Sequence, residues 1–171
     1  VVSSRWSSCI TASSIPPSRS RYVPLPDAIK GRDVLGKGQT GSGKTLAFGL
    51  AVLTRLAGKS ARPNHPIALI LAPTRELAVQ IEEVLASYSN EVGLRSCVLA
   101  GGMPYPPQLK ALKSGVQIVV ATPGRLQDHM KRGTINLSEI KIVVLDEADQ
   151  MADMGFLPVV TEVLRQTPEH G

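Results

Sequence analysis

The sequence predicts an α/β domain with a mainly parallel sheet and helices on both faces. Three observations carry this. Short, continuous, mostly β-branched apolar runs recur along the chain, as expected for strands covered on both sides. Helical stretches separate these runs from about residue 28 onward, and such alternation implies parallel strands joined by right-handed crossovers. A glycine-rich segment, Gly38 to Thr45, sits between the first such strand and the first helix.

The elements follow in order. Val34-Leu35-Gly36 is a short strand before the glycine-rich segment, and Leu46 to Leu53 is the helical run after it. Ile67 to Leu71 is a strand. Arg75 to Ser89 carries Leu77, Ala78, Ile81, Val84 and Leu85 at helical spacing. Cys97-Val98-Leu99 is a strand, Pro107 to Lys113 a short helix, and Ile118-Val119-Val120 a strand. Gly124 to Lys131 opens after a proline, as helices often do. Ile142 to Leu145 is the last strand, and Phe156 to Gln166 the last helix. In a parallel sheet ligands bind at the carboxyl ends of the strands, where every motif below falls.

Residues 1–22 differ. Ser, Arg and Pro dominate and no periodicity holds, so a disordered leader is expected, with one domain over residues 23–171. The chain of 171 residues has a formal charge of +5. Residues 1–33 hold five basic side chains against two acidic ones, so the main domain is nearly neutral. A basic groove there must come from local placement. Two cysteines, Cys9 and Cys97, give no disulfide framework, and Cys97 reads as a small buried residue. No apolar run of spanning length and no secretory signal is present, so a cytoplasmic protein without a membrane partner is expected. His65, His129 and His170 have no evident partners and read as surface residues.

Gly38-Gln39-Thr40-Gly41-Ser42-Gly43-Lys44-Thr45 is a complete phosphate-binding loop. Its glycines let the backbone wrap a polyphosphate, and the N–H groups of the loop and of the next helix point at the anion. Lys44 would reach the β- and γ-phosphates, and the Thr45 hydroxyl would ligate Mg²⁺. Asp146-Glu147-Ala148-Asp149 follows directly on a strand. Asp146 is expected on the metal side and Glu147 as the base that orients and deprotonates water. An acidic cap on the following helix, to which Asp149 would belong, is the other reading of these letters.

With D-E-A-D at 146–149, the chain resembles the DEAD-box family of ATP-dependent RNA helicases. Pro73-Thr74-Arg75-Glu76-Leu77-Ala78, Gly101-Gly102 and Thr122-Pro123-Gly124-Arg125 resemble further family motifs, in family order over residues 26–171. The resemblance implies a RecA-like P-loop NTPase domain that uses ATP and Mg²⁺. It also implies RNA contacts at Pro73, Thr74, Arg75, Gly101, Gly102 and Thr122 to Arg125. The residue types suit backbone phosphates rather than bases: hydroxyls and N–H groups at helix starts, arginines, and open glycine backbone. By analogy Asp149 joins the network linking ATP to the RNA side and to a second domain.

The resemblance has two gaps. The family's adenine-recognising glutamine would fall at or near Arg21, where Pro17-Ser18-Arg19-Ser20-Arg21 does not match. A truncated or mis-framed start would explain this, and so would a divergent tail. The family's Ser-Ala-Thr motif and second RecA-like domain, with its arginine finger, would lie past Gly171. The expected function is the ATP- and RNA-binding domain of an RNA helicase. A nucleotide-binding fragment without productive catalysis, and a P-loop ATPase acting on DNA or protein, are the alternatives.

Overall fold

The computed structural model describes the backbone of residues 9–13, 34–37 and 42–168, and side chains from residue 43 to residue 168. Among the described residues six strands form one parallel sheet. They are β1 (Cys9–Ser13), β2 (Val34–Lys37), β3 (Ala68–Leu71), β4 (Ser96–Leu99), β5 (Ile118–Ala121) and β6 (Ile142–Asp146). Their order across the sheet is β2-β1-β6-β3-β5-β4, and every pairing is parallel.

The helices are α1 (Ser42–Leu56), α2 (Arg75–Ser89), α3 (Tyr105–Lys113), α4 (Pro123–Lys131), α5 (Ala148–Asp153) and α6 (Leu157–Gln166). A short 3₁₀ turn, Asn90–Val92, ends α2. The strand period of two sorts the core into two layers. Ala68, Ile70, Ile118, Val120, Ile142 and Val144 face α1 and α2 through Phe48, Val52, Ala78 and Ile81. Leu69, Leu71, Val119, Ala121 and Val143 face the other way, onto Leu112, Leu126, Met151 and Val163 of α3 to α6. The strand interiors are continuously apolar because both faces are covered. Gly49 of α1 serves this packing, since a Cβ there would lie 3.1 Å from Leu85 Cδ2 of α2.

The leader departs from expectation. Cys9–Ser13 is a strand inside the sheet, parallel to β2 on one side and β6 on the other. Composition suggested disorder, but Ile10 and Thr11 are β-branched and ladders on both edges satisfy the backbone, which outweighs the polar neighbourhood. The rest of the leader, including Arg21, lies outside the described residues.

Because all strands run the same way, their carboxyl ends share one edge. Asp146 ends β6, Ala72-Pro73-Thr74 follows β3, Thr122 follows β5, and Ala100-Gly101-Gly102 follows β4. Bonds from Ala72 N to Ala121 O and from Thr122 N to Leu99 O, each 3.0 Å, carry the ladder one step past these ends. Loops that begin with their backbones already paired hold side chains in fixed places.

Candidate functional site

Gly38, Gln39, Thr40 and Gly41 of the phosphate loop lie outside the described residues. Ser42 begins α1, followed by Gly43, Lys44 and Thr45. Among the described residues nothing lies within 4 Å of a Cβ built on Gly43. Lys44 and Thr45 are buried. The Lys44 ammonium lies 3.2 Å from Asp146 Oδ1 and 3.4 Å from Glu147 Oε1. One cation thus holds two buried carboxylates. Burial pushes the Asp146 carboxyl above its ordinary range, and Lys44 pulls the other way.

Glu147 is the N-cap of α5 with φ 53° and ψ 47°, a left-handed conformation rare outside glycine. It turns the chain sharply between β6 and α5, so Asp146 and Glu147 both aim at Lys44 although adjacent residues of a strand would diverge. Such a backbone costs roughly 1–2 kcal/mol, and strain of this kind concentrates at functional positions. Asp149 sits in the first turn of α5, among residues whose charge suits a helix N-terminus. Lys44, Thr45, Asp146 and Glu147 line a cavity of about 520 Å³ together with Thr74, Gln80, Glu83 and Gln150. The last three carried no motif and were not expected from the sequence.

A second groove, also of about 520 Å³, runs along the same edge, lined by Pro73, Arg75, Gly101, Thr122, Gly124 and Arg125. Thr74 faces the first cavity while its neighbours Pro73 and Arg75 line the second, so a single turn after β3 touches both. Thr74 caps α2 by accepting a hydrogen bond from Leu77 N at 3.2 Å. Thr122 does not cap α4 with its side chain. Its hydroxyl instead accepts from Gly101 N at 3.4 Å and ties the two loops together. Gly102 has φ +75°, and a Cβ there would meet Arg75 Nη1.

Arg125 is more occupied than a free phosphate ligand would be. Its Nη1 donates to Met103 O at 2.9 Å and to Gln108 Oε1 at 3.3 Å, and its guanidinium lies over the Tyr105 ring. His129 corrects the surface reading outright. It is fully buried, with Nδ1 2.7 Å from Thr134 Oγ1 and Nε2 2.8 Å from Gln108 Oε1. Burial and the nearby Arg125 lower its pKa to about 4. Helical spacing could have shown the signal: His129 follows Leu126 by three residues, on the buried face of α4. His65 is half-buried, with Nδ1 2.8 Å from Pro63 O, so it too has a partner. His170 lies outside the described residues. Cys97 is half-buried, and desolvation pushes its thiol up to about 12, as an inert packed cysteine requires.

The DEAD/DEAH box helicase profile matches residues 23–170. The chain belongs to the DEAD/DEAH box helicase family. Among DEAD-box relatives, it is 47% identical over 157 residues to "ATP-dependent RNA helicase DeaD" of Haemophilus influenzae, covering 90% of this chain and 25% of that protein. It is 49% identical over 154 residues to the protein of the same description from Escherichia coli K12, covering 90% and 24%. "ATP-dependent RNA helicase RhlB" of Xanthomonas oryzae is 47% identical over 152 residues. The fold matches the crystal structure of a DEAD box protein from Methanococcus jannaschii with a TM-score of 0.69, at 35% identity, covering 94% of this chain and 36% of that one. The chain thus spans about a quarter of the length of these curated relatives. It is a DEAD-box helicase domain with the α/β RecA-like fold. Among the described residues no helix is long and apolar enough to cross a membrane.

Proposed function

We propose that this chain is the nucleotide-binding half of an ATP-dependent RNA helicase. It holds Mg-ATP in the Lys44 cavity and RNA backbone in the adjoining groove, and within the longer protein it couples hydrolysis to duplex unwinding or remodelling. The supporting observation is the turn Pro73-Thr74-Arg75, which lines the acidic, lysine-bearing cavity with one residue and the arginine-bearing groove with its neighbours.

The residues suit a divalent cation shared with phosphates. Asp146 Oδ1 is buried with the Lys44 ammonium as its ion-pair partner, and this hard oxygen donor lines the same cavity as Thr45. Among the described residues no three ligating side chains cluster, so Asp146, Thr45, phosphate oxygens and water would complete the shell. Bound Mg²⁺ supplies neutralisation of charge on the β- and γ-phosphates. The polyphosphate competes for the Lys44 ammonium and draws it from the two carboxylates. Asp146 is then available to the metal side, and Glu147 to accept a proton from water. Asp149 would link this site to the groove and to a second domain.

In the groove, Pro73, Arg75, Gly101, Thr122, Gly124 and Arg125 present a hydroxyl, guanidinium groups and open backbone, with Thr74, Gly102 and Pro123 adjoining them in the chain. These read phosphate and sugar rather than base edges. The second RecA-like domain, with an arginine finger worth roughly 10³–10⁵ in rate, belongs to the longer protein in this reading, as does the expected cytoplasmic location.

Calorimetry with ATP in Mg²⁺ and in EDTA tests the first site, and anisotropy of labelled oligouridylate across a salt series tests the second. Mg²⁺-dependent ATP binding and RNA binding that weakens with salt are expected. ATP affinity indifferent to the metal, or RNA binding restricted to one base sequence, would contradict the proposal.

A further inference from the structure

Beneath the groove lies a buried polar chain that crosses three elements. Gln108 of α3 is 3% exposed. Its Nε2 donates to Ala100 O at 3.2 Å, at the root of the Gly101-Gly102 turn. Its Oε1 accepts from Arg125 Nη1 at 3.3 Å and lies 2.8 Å from His129 Nε2. Behind it, His129 Nδ1 lies 2.7 Å from Thr134 Oγ1.

These contacts determine one another. The Ala100 carbonyl needs a donor, so the amide NH₂ of Gln108 must face it. Oε1 then faces Arg125 and His129, and guanidinium can only donate. An oxygen at 2.8 Å from His129 Nε2 requires the proton on Nε2. In a neutral ring Nδ1 is then bare, and the Thr134 hydroxyl, 2.7 Å from Nδ1 and 3.1 Å from the His129 carbonyl, has both as acceptors for its one proton. The neutral ring agrees with its burial between Arg125 and Arg132, which stack on Tyr105 at 4.5 Å each while that ring lies 4.6 Å from His129. Among the described residues, Arg125 Nε and Nη2 make no hydrogen bond, so the guanidinium is held by Nη1 with two nitrogens left over.

We propose that Gln108, oriented by the neutral His129–Thr134 pair, is a positioning residue for the RNA-facing groove. It sets the Gly101-Gly102 turn through Ala100 and aims Arg125 through Nη1, so one buried amide registers two phosphate-contacting features against each other. This deepens the RNA reading above and rests on it.

The test is a double-mutant cycle on oligouridylate affinity, read by anisotropy at fixed low salt, with Gln108→Ala, Arg125→Ala and the double variant. Each single variant should bind about three- to tenfold more weakly, the loss expected when a charge-assisted backbone contact is misplaced. The double variant should lose clearly less than the product of the two, because Gln108 acts partly through Arg125. Gln108→Glu guards against simple misfolding. It keeps an acceptor for Arg125 and His129 but sets an oxygen, not a donor, against the Ala100 carbonyl. It should fold and still bind RNA more weakly than the unmodified chain. Nitrogen-15 shifts of His129 at neutral pH should report the Nε2–H tautomer. Losses that multiply fully, wild-type affinity in Gln108→Glu, or an Nδ1–H ring would overturn the relay while leaving the RNA reading in place. No RNA binding by the unmodified chain would remove that reading and this proposal with it.

Discussion

The Arg75 guanidinium rests against the bare Cα of Gly102, where a Cβ would come within 2.8 Å of Nη1. Two motifs 27 positions apart in the chain, after β3 and after β4, thereby share one contact surface. Gly102→Ala should cost about 1 kcal/mol of stability from the positive φ, since the arginine tip can swing aside at little steric cost. Displacing Arg75 should weaken RNA binding about as much as Arg75→Ala does. Anisotropy on both variants checks this, and unchanged RNA affinity in Gly102→Ala would contradict it.

Lys44→Ala removes the cation proposed to face the polyphosphate. ATP affinity should fall by about 2–4 kcal/mol for a desolvated charge-assisted contact. The free protein should also lose stability, because Asp146 and Glu147 stay buried without their shared ammonium. Calorimetry and thermal unfolding read the two effects separately. Equal ATP affinity in variant and unmodified chain would refute the assignment of Lys44.

Glu147 carries both a proposed chemical role and a strained backbone. Glu147→Gln in the longer enzyme should abolish turnover yet keep ATP bound, because the amide cannot take a proton from water. Glu147→Asn should also abolish turnover while raising the stability of the free chain by up to about 1 kcal/mol, since Asn tolerates the left-handed region. A fall in unfolding midpoint for Glu147→Asn would show that the Lys44 contact outweighs the strain.

His129 should make stability pH-dependent. Its folded pKa of about 4 lies below the ordinary 6.5, so the unfolded chain binds the extra proton first. Its contribution is fully present above pH 6.5 and is lost as pH falls from there towards about 4. Burial is the main cause. Arg125 and Arg132 act in the same direction, and Asp128 opposes them. Thermal unfolding across this range should fall more steeply for the unmodified chain than for His129→Gln. Parallel curves would show that the ring is already charged or exposed in the folded protein.

Local order was legible in the sequence. Residues 75–89 form a helix because their apolar side chains recur at helical spacing and Thr74 supplies a cap at the expected place. The runs at 118, 142 and 68 are strands because short, continuous apolar segments suit a sheet covered on both faces. Lys44 and Thr45 of the phosphate-loop pattern and the acidic motif meet at the carboxyl edge of the sheet, since in a parallel sheet every strand end points there. Cys9–Ser13 escaped notice because a five-residue strand paired on both sides takes its stability from neighbours distant in sequence.

Composition and period by themselves determined most of the elements from residue 34 onward, their parallel alternation and which loops bear charge, because those depend on residues within a few positions of each other. Only the tertiary structure decided how the loops meet. Lys44 reaches Glu147 across 103 residues, and nothing local to either encodes that distance. The left-handed turn at Glu147 persists because β6 and α5 are each anchored in the core and the chain must bend between them. His129 is buried because α4 packs its inner face on the sheet, and Gln108 meets it there from α3. Such contacts are set by the relative placement of rigid elements, and that placement is a property of the whole packed core.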